Sequence, residues 1–168
     1  MALLVLSVAG SDRPGLTKAL AAAVLSAGGN WLESHLSRLG GLYVGSVLVE
    51  LAEGKVDALR AAVAAVDAAG LEVRIAPAGE SAGAGETLQF SLVGQDRPGI
   101  VNQVTAAVSG LGANIETFET WLSAEAHSGG QLFHMAAHLR LPEGLKAAAV
   151  QDALEAISGE IMVDVAVG

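Results

Sequence analysis

The sequence contains no cysteine, few aromatic residues and few cations. Of its 168 residues, 9 are Lys or Arg and 18 are Asp or Glu, so the formal net charge is −9, and aromatic residues make up 4%. Without cysteine there is no disulfide framework, thiolate zinc site, iron–sulfur cluster or cysteine nucleophile. The few cations are scattered along the chain, which argues against a binder of duplex nucleic acid because such a protein must neutralise phosphates.

Long apolar runs are also missing. The uncharged stretches 19–32 and 98–115 are interrupted by glycine, asparagine or glutamine, whereas a spanning helix needs about 20 predominantly apolar residues. The apolar start, residues 1–6, lacks the basic residues of a signal peptide and soon reaches a turn signal at 10–12. We therefore expect a soluble, cytoplasmic protein that does not bind membranes.

The sequence does contain one internal repeat. Residues 10–16, GSDRPGL, recur at 94–100 as GQDRPGI, and ten of the 21 positions in 10–30 are identical in 94–114. The offset between the copies grows from 84 (94 − 10) to 90 (141 − 51), which predicts about six extra residues near 123–130. Small residues without periodicity between the copies predict a flexible linker. We predict a first domain at 1–77, a linker at 78–85 and a second domain at 86–168.

Hydrophobic periodicity predicts the same elements in both copies. Alternating apolar residues predict a strand before each DRPG turn, and apolar residues at i, i+4 and i+8 predict a following helix that ends at Gly28 or Gly112. Two more strands, a second helix and a last strand complete each copy. The prediction is an α+β fold of two tandem ferredoxin-like βαββαβ domains, each a four-stranded antiparallel sheet with two helices on one face. Because a single core of this size provides little stability, we expect the two domains to pack together.

The DRPG turns lie where the first strand leads into the first helix. Asp suits the N-cap, Pro suits the opening helical turn, and Gly keeps the surface near the helix start clear. The remaining main-chain amides point outward at the positive end of the helix dipole, where a carboxylate is favoured. The Gly-x-Asn step after the helix is expected alongside, so that both elements could hold a zwitterionic amino acid. It is equally open that DRPG only starts the helix and Gly-x-Asn only ends it.

The DRPG turn, the Gly-x-Asn step and the βαββαβ order resemble the ACT domain, a small-molecule regulatory module whose members commonly bind amino acids between paired domains. The resemblance covers both copies. The tandem arrangement is similar to the glycine cleavage system transcriptional repressor subgroup, while the DRPG turn is shared with sensor domains of formyltetrahydrofolate deformylases and nitrogen-regulatory uridylyltransferases. The resemblance implies that the ligand-binding residues are Asp12, Arg13, Pro14, Gly15, Leu16, Gly28, Gly29, Asn30, Asp96, Arg97, Pro98, Gly99, Ile100, Gly112, Ala113 and Asn114.

By this resemblance the chain is a non-enzymatic regulator that binds a small amino acid, such as glycine, and needs no cofactor. It is expected to act through a regulator protein partner in the transcriptional regulation of amino-acid metabolism, without contacting nucleic acid itself, and as a monomer or a homodimer. The two sites are not expected to bind equally well. Ser11 corresponds to Gln95 and Trp31 to Ile115, so their surroundings differ.

Two other functions stay open on the residues alone. One is a ligand-free interaction scaffold in which the DRPG turns are structural. The other is a hydrolase of the acylphosphatase plan, although the glycine-rich, arginine-containing signature of those enzymes is missing. No P-loop or H-E-x-x-H motif occurs, and no catalytic residue is predicted. His134 and His138 share a strand face, but their spacing of about 13 Å is too wide for one metal ion, and no metal site is predicted.

Overall fold

The structure, a computed structural model, describes residues 1–80 and 83–168. The chain divides into two compact units, residues 1–81 and 82–168. The elements of the first unit are β1 (Ala2–Ser11), α1 (Leu16–Ser26), β2 (Asn30–Leu39), β3 (Leu42–Leu51), α2 (Val56–Ala68) and β4 (Leu71–Pro77). Those of the second are β5 (Thr87–Gln95), α3 (Ile100–Gly110), β6 (Asn114–Ala124), β7 (Gln131–Arg140), α4 (Ala147–Glu155) and β8 (Met162–Val167).

Both units have the predicted βαββαβ order. The strands run antiparallel, in the spatial order β2-β3-β1-β4 in the first sheet and β6-β7-β5-β8 in the second. The six extra residues of the second copy lie between β6 and β7, because the pair Ser123–Leu132 is equivalent to Leu39–Leu42 and encloses residues 124–131 in place of the two-residue turn Gly40–Gly41. The fold prediction is therefore confirmed, including the place of the insertion.

Each unit has its own apolar core between the sheet and its two helices. In β1, Leu4, Leu6 and Val8 are buried and alternate with more exposed residues, and they pack in one cluster with Leu20 and Val24 of α1. The second unit has an equivalent cluster. No polar or charged side chain is buried in the described ranges. The burial of apolar side chains is therefore the main stabilising contribution within each unit.

The first helix of each unit ends in a Schellman motif, as the glycine pattern predicted. Gly28 has φ 76°, its amide donates to Leu25 O at 2.9 Å, and the Gly29 amide donates to Val24 O at 2.9 Å. Gly112, with φ 73°, ends α3 in the same way. Left-handed backbone favours glycine, so these two residues have a structural role whether or not a ligand binds.

The remaining predictions concern the linker, the packing of the two domains and membrane-spanning helices. The linker prediction, 78–85, includes Ser81 and Ala82, which lie outside the described residues. The expected packing of one domain on the other stays a prediction. Over residues 1–80 and 83–168, no helix has both the length and the apolar character needed to cross a membrane.

Core burial can be tested with two leucines of the same helix. Leu20 is fully buried, whereas Leu25 is 75% exposed. We expect Leu20→Ala to lower the free energy of unfolding of the first unit by about 2–5 kcal/mol, and Leu25→Ala to change it by less than about 0.5 kcal/mol. Urea unfolding followed by Trp31 fluorescence in a Trp121→Phe background reports on the first unit. Equal effects of the two substitutions would contradict this core.

Candidate functional site

The first DRPG turn is exposed, and α1 begins at Leu16, directly after it. Gly15 occupies the N-cap position with φ 91°, and no side chain caps the helix. Gly99 does the same before α3, with φ 89°. The prediction that Asp12 or Asp96 is the N-cap is therefore wrong. The left-handed glycine turns the chain by itself, and the aspartate lies three residues too early to cap.

The amides at the start of α1 are available to a ligand. Within the described part of the chain, the amides of Gly15, Leu16, Thr17 and Lys18 donate no hydrogen bond of normal geometry. The first helical bond is that of the Ala19 amide to Gly15 O, at 2.9 Å. Helix starts leave four such donors unsatisfied, and they carry the positive end of the helix dipole. These four amides can therefore bind an anionic group.

The Asp12 carboxylate is held away from these amides. It forms an ion pair with Arg38 of β2, with 3.0 Å between Asp12 Oδ2 and Arg38 Nε. In the second unit Leu122 takes the place of Arg38, and Asp96 has no ion-pair partner among the residues described. The first turn thus presents less uncompensated negative charge to an anion than the second.

The first helical turns of α1 and α3 differ as well, and the difference again favours an anion at the first DRPG turn. Lys18 adds a cation to the first turn of α1, whereas the corresponding residue of α3 is Asn102. The Thr17 hydroxyl lies 2.7 Å from the Tyr43 hydroxyl, and the corresponding pair in the second unit, Val101 and Phe133, is apolar. Lys18, Thr17 and Arg38 were not predicted from the sequence, although each differs from the residue at the corresponding position of the second copy.

The two arginines of the repeated turn have different partners. Arg13 Nη2 donates to the main-chain oxygen of Ala69 at the end of α2. Arg97 Nη2 instead donates to Gln103 Oε1 on its own helix α3, at 2.7 Å. Identical motifs are therefore anchored to different elements in the two units.

Asn30 does not lie beside the turn of its own unit. It is opposite Glu50, and Glu50 is opposite Leu3 near the start of β1, whereas the turn follows Ser11. The separation along β1 is eight residues (11 − 3), or about 26 Å. The second unit has the same geometry, with Asn114 level with Thr87. The idea that one unit brings its turn and its asparagine together is wrong, because α1 carries the chain back along the sheet between them.

Both asparagines are exposed and precede a β-bulge, which lies between Trp31 and Glu33 in β2 and between Ile115 and Thr117 in β6. Their charged neighbours have opposite signs. Asn30 lies opposite Glu50, whereas Asn114 lies opposite Arg140, which is paired with Glu116 at 2.5 Å. A ligand ammonium is therefore favoured near Asn30 rather than near Asn114.

Among the described residues, none of the five most prominent surface cavities is lined by a residue of either DRPG turn. His134 stacks on Trp121 with ring centroids 5.2 Å apart, and its Nε2 lies 2.6 Å from Ser123 Oγ. Throughout residues 1–80 and 83–168, no cluster of three or more His, Asp or Glu side chains could hold a metal ion. The turns are thus open surfaces rather than enclosed pockets within one unit.

Two copies of one sequence family account for nearly the whole chain. The family model of the ACT domain matches residues 2–75 and again 86–167. The chain belongs to the ACT domain family. Each matched range covers one βαββαβ unit, so this is a tandem ACT protein. No curated protein sequence matches it.

Solved structures have the same fold over the full length. An unknown protein from Galdieria sulphuraria is 27% identical, with a TM-score of 0.86 and coverage of 99% of this chain and 98% of that one. A candidate glycine cleavage system transcriptional repressor is 18% identical, with a TM-score of 0.69 and coverage of 99% and 97%. Both structures agree with the tandem ACT fold.

The left-handed glycine of the turn can be tested without a ligand. A Cβ at Gly15 would meet no atom within 4 Å, so Gly15→Ala tests the backbone conformation alone. We expect it to destabilise the first unit by about 1–2 kcal/mol, because left-handed backbone disfavours residues with a Cβ. Gly54→Ala is the control, since Gly54 is equally unobstructed and lacks a positive φ. If both substitutions have the same effect on Trp31-monitored unfolding, the assigned conformation is wrong.

Proposed function

We propose that this tandem ACT protein is a non-enzymatic regulator that binds a small amino acid, such as glycine. The carboxylate binds the main-chain amides of the DRPG turns, and the ammonium binds near the Gly-x-Asn steps. The observation that carries the proposal is the set of unpaired amides from Gly15 to Lys18. An exposed helix start of this kind is an anion site for both electrostatic and hydrogen-bonding reasons.

The first turn is the stronger of the two sites in this proposal. Asp12 is neutralised by Arg38, and Lys18 adds a positive charge to the first helical turn. Among the described residues, Asp96 of the second turn has no ion-pair partner, and the nearby Gln95 amide donates to the Glu125 carboxylate. Negative charges near the second turn oppose the binding of a carboxylate.

A complete site requires a second ACT unit. Within one unit the turn and the asparagine lie about 26 Å apart along β1, and a small amino acid cannot span that distance. The asparagine that completes each site therefore comes from a different ACT unit. This requirement favours regulation through the pairing of units, because a ligand that contacts both stabilises their association.

The proposed readout is a protein–protein contact. The net charge of −9 opposes direct binding to nucleic acid. The full-length fold likeness to a candidate glycine cleavage system transcriptional repressor supports transcriptional regulation of amino-acid metabolism as the process. A regulator protein then recognises the ligand-dependent arrangement, which requires different ligand affinities in two states.

The exposed turns, which line none of the five most prominent cavities of the described residues, also favour a second candidate function, an interaction scaffold without a ligand. In that case the amides bind water, and the glycines serve only to turn the chain. Calorimetric titration with a panel of the standard amino acids separates the two functions.

We expect saturable heat for a small amino acid and at least about tenfold weaker binding in Asn30→Ala or Asn114→Ala, because hydrogen bonds to charged groups contribute about 1.5–3 kcal/mol. Ser34→Ala, an exposed substitution in the middle of β2, is the control and is expected to bind normally. Silence across the whole panel would favour the scaffold, and turnover of an acyl phosphate would instead indicate the hydrolase.

A further inference from the structure

We infer that Arg13 is a positioning residue, which fixes the first DRPG turn to the end of α2 and keeps its amides in place for a ligand. Arg97, the same residue of the second turn, has no such role. The inference rests on the proposed function and adds to it a physical reason for unequal sites.

Arg13 connects two parts of the first unit that are far apart in sequence. Its guanidinium donates to the carbonyl of Ala69, the C-cap residue of α2, which is 56 positions along the chain. The last carbonyls of a helix lack helical partners and carry the negative end of its dipole, so a cation is favoured there. Arg13 is therefore directed at α2 rather than at a ligand on α1.

Two glycines make this contact possible. Gly70 has φ 107°, and a Cβ on it would collide with Arg13 Nη2. A Cβ on Gly10 would collide with the carbonyl oxygen of Gly70. The end of β1 therefore lies directly against the α2–β4 connection, and Arg13, three residues later, reaches the Ala69 carbonyl across it.

The second unit lacks both conditions. Strand register places Glu160 at the position of Gly70, because Glu72 and Met162 pair with equivalent residues of β1 and β5. Position 160 therefore carries a side chain, whereas a Cβ at the equivalent position 70 of the first unit would collide with the Arg13 guanidinium. Position 103 is Gln, where the first unit has Ala19, and Arg97 donates to this glutamine. The turn is thus tied only to the helix that it precedes.

The two anchors restrain the turns differently. A link from the turn to the end of α2 fixes the turn relative to another helix and the sheet before any ligand arrives. A link from the turn to its own helix does not restrain the turn relative to the other helix and the sheet. Because a preordered site loses less conformational freedom on binding, the first turn binds a given ligand more tightly than the second.

The test compares Arg13→Gln with the matched variant Arg97→Gln by NMR of the full chain, first without ligand. We expect a slowly exchanging Arg13 side-chain signal in the wild type. Arg13→Gln should broaden or shift the amides of Gly15, Leu16 and Gly70, whereas Arg97→Gln should leave these three unchanged. Equal spectra of the first unit in the two variants would overturn the inference.

Glycine titration of the same samples provides the functional readout. Arg13→Gln is expected to weaken binding at the first turn about threefold to tenfold through the lost preorganisation. Arg60→Gln, an exposed substitution on α2 that lies outside both turns, is the control and is expected to leave this binding unchanged. Unchanged glycine affinity in Arg13→Gln, with binding intact in the wild type, would overturn the positioning role. If neither protein binds any amino acid, the proposed function fails, and the ligand-free spectra still decide the role of Arg13.

A gain-of-contact variant covers the case in which Arg13→Gln does not fold. Gln103→Ala combined with Glu160→Gly gives the second unit the two residues that accompany Arg13 in the first. We expect the Arg97 side-chain signal to become slowly exchanging in this double variant. An Arg97 signal that stays as in the wild type would contradict the assigned roles of positions 103 and 160.

Discussion

Unpaired main-chain amides at the start of α1 are the feature on which the proposed function depends. A serine or aspartate at the N-cap would satisfy one of these donors from within the chain. Gly15 cannot, and its left-handed conformation brings the helix start to the surface without any competing side chain. The amides must bind either water or an anion, and the positive end of the helix dipole favours the anion.

The polar side chains of the first turn contribute by leaving this surface free. Asp12 pairs with Arg38 at the end of β2, and Arg13 binds the end of α2. Both charged groups are thereby held by neighbouring elements, so the ligand contacts assigned to this motif are those of the main chain. The second turn keeps the same four residues, but Leu122 and Glu160 stand at the positions that Arg38 and Gly70 occupy in the first unit. The surroundings, rather than the motif, therefore distinguish the two turns.

The fold could be predicted from the sequence because equivalent positions of the two copies can be compared. Where the first copy is apolar on both faces of β1, as at Leu3 and Val5, the second has Thr87 and Gln89, which reveals the buried face. The site was predicted less well. The turn and Asn30 flank α1 in sequence, which suggests that they lie close together. The length of α1 keeps them apart, and counting residues along β1 would have shown this.

The different anchors of Arg13 and Arg97 could not be predicted from the motif. They depend on the residues at positions 70 and 160, which lie more than 50 positions from Arg13 and Arg97 in sequence and are placed at equivalent points of the two sheets by the pairing of the outer strands. The N-cap was mispredicted because aspartate and a left-handed glycine both suit a helix start. Only the backbone conformation of Gly15 shows which of them begins α1.

The most direct test of the central interaction compares an amino acid that binds with its carboxamide, which keeps the ammonium and loses the carboxylate charge. Amide resonances of Gly15, Leu16, Thr17 and Lys18 are followed by NMR during both titrations. We expect saturable shifts of these four amides with the amino acid and none at equal concentrations of the carboxamide. Equal binding of the two compounds, or shifts confined to other residues, would contradict it.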